Sequence, residues 1–241
     1  MLSVAGSRRF GLGLLVSALI AGIPAQFGGV ASAGTVDIFS GPQYGSNSVS
    51  GSNTGILVSP AWAIPSSSQY EWISYGATGC NTFVALTGIC TPGPANPVGT
   101  TVNSSPTAIF YQTFTITDAF DAGDVTVWAD DTASVYLDAG TVTSGDGSGG
   151  ILEYAANPNQ YTNCSGPQPI GCLASTGGVI PLNLTTGTYT LVIDAFQLVG
   201  GSPFGVMYDG TLTNTPEPAS YLLMGFGLAG LGMLVRRLKR A

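Results

Sequence analysis

The sequence predicts an all-β fold: a jelly-roll-like β-sandwich ectodomain, with an N-terminal signal peptide and one C-terminal transmembrane helix. Three observations predict it. The middle of the chain is rich in Gly, Pro, Thr, Ser and Val and contains no amphipathic helical stretch of useful length. Several short apolar/polar alternating runs are separated by turn residues, the pattern of a sandwich or jelly roll. The charges are segregated in a way that no fold requires but membrane insertion does. The six basic residues are Arg8, Arg9, Arg236, Arg237, Lys239 and Arg240, and all 13 acidic residues lie between them. Basic clusters that flank apolar segments stay on the cytoplasmic side, so each cluster marks the inner end of a hydrophobic stretch.

In chain order, residues 1–33 read as a secretory signal peptide. Arg8 and Arg9 form the positive start, Phe10 to Ile23 the apolar stretch, and Ala31-Ser32-Ala33 the small-residue site for signal peptidase. Cleavage after Ala33 starts the mature chain near Gly34. The apolar stretch is short for a membrane span, which argues against an uncleaved anchor. Phe10 directly after the arginine pair favours general secretion over a twin-arginine route.

The ectodomain, residues 34–215, is long enough to bury a core of its own. Ala108–Ile116 is the first clear strand. Asp124–Ala129 is a second, with Val125 and Val127 alternating against Thr126 and Trp128. Ser134–Asp138 is a third, and residues 130–133 are expected to turn the chain between the two. Thr188–Phe196 follows a turn at Gly187, and Phe204–Tyr208 closes the domain. Ser144 to Gly178 is rich in Gly, Pro, Asn and Ser and is expected to be a surface loop.

Cys80, Cys90, Cys164 and Cys172 all lie in this exported part, where an even count indicates disulfides. Three connectivities are open. Cys80–Cys90 and Cys164–Cys172 are favoured because each pair brackets a loop containing Gly and Pro. A four-thiolate zinc site lacks the Cys-x-x-Cys knuckle it would need.

The final segment, 216–241, combines Pro216-Glu217-Pro218, an uncharged run from Ala219 to Val235 and a basic tail over 236–241. A helix of those 17 apolar positions spans roughly 26 Å, enough for a bilayer core. Gly225 and Ala229 offer a small-residue contact for a plain anchor, but a plain anchor leaves Pro-Glu-Pro unexplained. The three parts in this order resemble the PEP-CTERM sorting signal. That resemblance implies recognition by an exosortase in the inner membrane of a Gram-negative bacterium, transient membrane anchoring, and release to the cell surface or a biofilm matrix. It also implies an association with exopolysaccharide.

The stretch from Val127 to Gly140 is similar to the aspartate-pair hairpin of galactose-binding-like jelly rolls and protective-antigen-like lectin domains. Leu184-Thr-Thr-Gly-Thr-Tyr-Thr-Leu191 has the form of their late strand. The resemblance implies calcium ligands at Asp130 and Asp131, which in such lectins grip sugar hydroxyls through the ion. Here Thr132 replaces the glycine that commonly follows the pair. Asp138 on the following strand would add a third hard oxygen donor. Asp118, Asp121 and Asp124 form a second acidic turn. The bland reading of both clusters is that aspartate favours turns and keeps an exported protein soluble.

The chain has no histidine, which excludes histidine-based triads and bases. The absence of Lys and Arg from the body argues against nucleic acid and anionic ligands. Glu71 and Glu153 are the only glutamates of the body upstream of Glu217, so a two-carboxylate glycosidase would have to use them. Three readings follow: a non-enzymatic surface or matrix protein that binds polysaccharide, a structural component without a ligand, and a secreted carbohydrate-active enzyme.

Overall fold

The computed structural model describes residues 34–84, 89–95, 97–117, 121–158, 170–201, 203–214 and 218–239. The expected signal peptide, Asp118, Cys164, Pro216 and Glu217 lie outside them.

Two antiparallel sheets face each other, as the alternating runs require. One contains β1 (Thr35–Phe39), β3 (Thr54–Gly55), β4 (Ile73–Ser74), β8 (Asp121–Asp130), β11 (Gly178–Leu184) and β13 (Gly205–Asn214). The other runs β10 (Ile151–Tyr154), β9 (Thr132–Ala139), β12 (Gly187–Phe196), β7 (Ala108–Ile116), β2 (Ser46–Asn47). From β7 to β9 and from β10 to β13 the chain alternates between the sheets, the jelly-roll habit. A separate hairpin, β5 (Cys80–Val84) with β6 (Ile89–Pro92), carries the Cys80–Cys90 disulfide. Cys172 is also disulfide-bonded.

The core between the sheets is read directly from the period of two. Phe110, Phe114 and Ile116 of β7, Val125, Val127 and Ala129 of β8, and Ala133, Val135 and Leu137 of β9 all point inward. Leu191, Ile193 and Ala195 of β12 meet Val206, Tyr208 and Leu212 of β13 there. A second apolar layer packs Trp62, Tyr70 and Trp72 against Phe39, Met207 and the buried Cys172. The Trp62 and Trp72 rings lie 4.5 Å apart, and Trp72 Nε1 donates to the Ala63 carbonyl at 2.8 Å. That bond satisfies the indole while its ring stays dry.

Three expectations change. Residues 130–133 do not turn a hairpin: β8 ends at Asp130 in one sheet and β9 starts at Thr132 in the other. Ser144 to Gly178 is not all loop, because it contains β10, and β11 starts at its last residue. Both are edge strands, and Pro181 in β11 faces an edge where no ladder donor is needed. The closing strand runs on from the expected Tyr208 to Asn214.

The C-terminal helix forms as expected, as α1 (Pro218–Leu238) with Arg236 and Arg237 in its last turn. Met224, Phe226, Leu228, Leu231, Met233 and Leu234 on it are all exposed. Among the described residues no helix is long and apolar enough to cross a membrane.

Trp72 is 1% exposed and holds the second layer onto the sheet. Trp72→Ala should therefore cost about 3–5 kcal/mol in chemical denaturation; a loss under 1 kcal/mol would show that this layer is not part of the cooperative fold.

Candidate functional site

The aspartate pair occupies the corner at which the chain leaves one sheet for the other. Asp130 pairs with Gly205 of β13, and the Asp131 N–H donates to the Phe196 carbonyl at 3.0 Å. Crossing between sheets at this point draws both residues off the surface, leaving Asp130 6% and Asp131 5% exposed. The Asp130–Asp131 peptide is cis.

Asp131 Oδ2 accepts from the N–H groups of Leu198 at 2.8 Å and Val199 at 3.3 Å, fixing the loop after β12. The two carboxyls also hydrogen-bond to each other, with Asp130 the donor. Burial pushes Asp130 well above the usual carboxylate range, and the charge of Asp131 beside it pushes it further. Burial also raises Asp131, against the hydrogen bonds from Asp130, Leu198 and Val199, which lower it. Both carboxyls thus resist ionisation, in a body that has no cationic side chain to neutralise them.

Several loops converge on this corner. Thr100 N–H donates to the Gln197 carbonyl at 2.7 Å, and Gly201 N–H to the Pro97 carbonyl at 2.9 Å. Asn157 N–H reaches Thr132 Oγ1 at 3.0 Å, and Ala129 N–H the Gly171 carbonyl at 3.2 Å. Gln197 Oε1 is buried without a hydrogen-bond partner. Val98 and Val199 on the same loops are exposed. Sequence reading missed Gln197 and the two amides on Asp131, because they come from a loop more than sixty residues away.

Asp138 does not join the pair. It lies opposite Thr190, seven residues along β9 from Asp131, or roughly 23 Å at strand spacing. It lies instead under the loop after β9, against Gly149 and Gly150, on the same face as Asp194. Asp194 shares the outer face of β12 with Thr190 and Val192, since Leu191, Ile193 and Ala195 face the core. The loop after β9 covers it: Gly147 N–H lies 3.3 and 3.4 Å from its two oxygens. A side chain at position 147 would collide with the Tyr136 ring, so the loop can lie this close only with glycine there. Burial pushes Asp194 up to about 6, with Asp146 and Asp138 adding to the rise against the Gly147 hydrogen bond. The sequence signal for this residue was a lone carboxylate inside an apolar strand.

The remaining candidates stay apart. Asp121 and Asp124 pair with Leu184 and Pro181 of β11. Glu71 lies against Gly55 of β3 and Glu153 on β10, at opposite edges of the sandwich. Among the described residues no three His, Cys, Asp or Glu side chains group in a way that could hold a metal ion.

The fold and its final segment define an exported-type β-sandwich followed by a sorting helix. A scan against protein families matches residues 214–240 to the PEP-CTERM protein-sorting motif, so the chain carries that sorting signal. No curated protein matches the chain. Among solved structures it is similar to an exo-β-1,3-galactanase of Phanerochaete chrysosporium with galactose, at TM-score 0.31 and 13% identity over 76% of this chain. A substituted form of that enzyme with β-1,3-galactotriose aligns at TM-score 0.30 and 13% identity over 77% of this chain. The chain spans about 30% of the length of either.

A carboxyl whose folded value lies above its unfolded one favours the folded state while protonated. For Asp194 that contribution is fully present below about pH 4 and is lost as pH rises through about 6. Asp194→Asn keeps an acceptor for Gly147 and removes the charge. It should raise stability at pH 7.5 by about 1–2 kcal/mol, after allowance for solvent screening, and by nothing at pH 4. A destabilised Asn variant at pH 7.5 would show that the ionised carboxylate is needed there.

Proposed function

We propose that the chain is a non-enzymatic, exosortase-sorted protein of the cell surface or extracellular matrix, whose sandwich binds polysaccharide through calcium held at Asp130 and Asp131. The observation that carries the calcium part is the pair itself. Two touching, buried carboxyls with no basic neighbour must hold either a proton or a cation, and calcium is the hard, oxygen-seeking cation for such donors. Asp130 and Asp131 would supply the charged oxygens. Gln197 Oε1, an unpartnered acceptor in the adjoining loop, is the neutral donor best placed by sequence to join them. Asp138 is left out of the set. The bound ion would supply positive charge to a domain that has no cationic side chain of its own and coordinate sugar hydroxyls at the loop rim.

The sugar would be neutral, because the net negative charge of the body would repel an acidic polymer. The separation of Glu71 from Glu153 supports the non-enzymatic reading, since glycosidase carboxyls stand about 5–10 Å apart. The apolar, uncovered surface of α1 and the two arginines in its last turn support membrane anchoring before sorting, with the basic end on the cytoplasmic side.

Calcium must compete with protons for these carboxyls, so its affinity should weaken from pH 7.5 to pH 5. At a hundredfold excess over the dissociation constant, thermal unfolding should show about 2.7 kcal/mol of stabilisation. Magnesium, which demands a tighter octahedral shell, should not match it, and Asp131→Asn should abolish the difference. The same protein should be retained on a neutral polysaccharide resin by calcium and released by chelator. Equal shifts from both ions, undiminished in the mutant, would leave the corner an ordinary pair of buried carboxyls.

Signal removal and sorting should both leave a mass signature. Intact-mass analysis of extracellular protein should give a chain that begins near Gly34 and ends close to Glu217. Retention of Arg236 to Arg240 on released protein would leave α1 a plain anchor.

A further inference from the structure

The sorting motif has almost no spacer. β13 is still paired at Asn214, with Asp121 of β8 opposite, and Thr213 is paired with both Ala122 of β8 and Thr35 of β1. Thr215 alone separates this ladder from Pro216. An enzyme that grips three or four extended residues ahead of its motif needs roughly 10–14 Å of free chain, and one residue supplies about 3.5 Å.

The ladder has a natural stopping point two residues back. Leu212 is 0% exposed and belongs to the core, and its β1 partner Val36 packs against that core. Beyond it, Thr213 and Thr35 are exposed. The Thr213 side chain makes one long bond, Oγ1 to the Ala122 carbonyl at 3.4 Å. Detaching Thr213 and Asn214 therefore breaks ladder hydrogen bonds at a solvated sheet end without opening the apolar core at Leu212, and local opening of this kind is cheap relative to global unfolding.

We propose that the sorting enzyme's substrate segment includes Thr213 and Asn214, and that it becomes available when β13 peels back from β1 and β8 as far as Leu212. This rests on the sorting reading above. The pairing of Thr213 with Thr35 then sets the rate of processing. It also places the first strand residues after the expected signal-peptide site beside the sorting junction, so both processing events act on one end of one sheet.

The test uses the full-length chain co-expressed with an exosortase, following conversion to the tail-free form by pulse-chase. Thr35→Cys with Thr213→Cys locks the last shared rung of β1 and β13 and should slow conversion at least fivefold. The same locked chain with a six-residue Gly/Ser spacer inserted after Asn214 should convert at the wild-type rate, because the spacer supplies free chain without peeling. Wild-type conversion in the locked chain without a spacer would overturn the proposal. So would slow conversion in both locked chains, which would assign the effect to general damage. An uncleaved wild-type chain would overturn the sorting reading itself, and that outcome is distinct because it appears before any substitution is made.

Discussion

The antiparallel pairing of β13 is the contact on which the rest of this structure depends. It is the last strand to be made, yet it lies inside its sheet, with β8 along one side and β1 and β4 along the other. Its inward residues Val206, Tyr208 and Leu212 complete the core, and Met207 on its other face anchors the aromatic layer. One end pairs with Asp130 at the carboxylate corner, and the other runs to within a residue of the sorting motif. The sheet cannot close until this last strand of the body has been made. The last strand of the body and the sorting motif are thus contiguous in the chain.

The second constraint is electrostatic. With no basic side chain between Phe10 and Val235, no carboxylate of the body has a side-chain cation to pair with. Exposed aspartates tolerate this through hydration and screening. Buried ones do not, and burial raises the carboxyls of Asp130 and Asp131 as well as that of Asp194, to which the charges of Asp146 and Asp138 add. These buried carboxyls should make the domain steadier in mild acid than at neutral pH. This is unusual for a stability profile dominated by carboxylates, which more often gain from ionisation in the native state.

Much of the architecture was legible because the middle strands obey the period of two cleanly. Ala108–Ile116 coincides with β7, and Thr188–Phe196 with all but the first residue of β12. What local pattern could not convey was sheet membership. Aspartates at 130 and 131 announce a change of direction, but only long-range pairing decides whether the chain returns to its own sheet or crosses to the other. That is why the expected hairpin is a corner; Asp138 lies far from the pair it was grouped with because the extended strand β9 carries it to the other end of the sheet. β10 and β11 were hidden by Gly- and Pro-rich surroundings that edge strands tolerate. The two-residue strands β2, β3 and β4 are too short to carry a period at all. The aromatic layer built from Trp62, Tyr70 and Trp72 was missed for a similar reason, since no regular element spaces those residues.

Native-state hydrogen exchange along β13 tests the central claim, that one strand is both the keystone of the fold and the source of the sorting segment. The amides of Val206 to Leu212 should be among the slowest in the protein and exchange only through global unfolding, with Val36 of β1 in the same class. Thr213 and Asn214 should exchange orders of magnitude faster, insensitive to low denaturant, as a local opening that stops at Leu212. Protection of Thr213 and Asn214 equal to that of Leu212 would contradict the account, because the motif would then be reachable only by unfolding the domain.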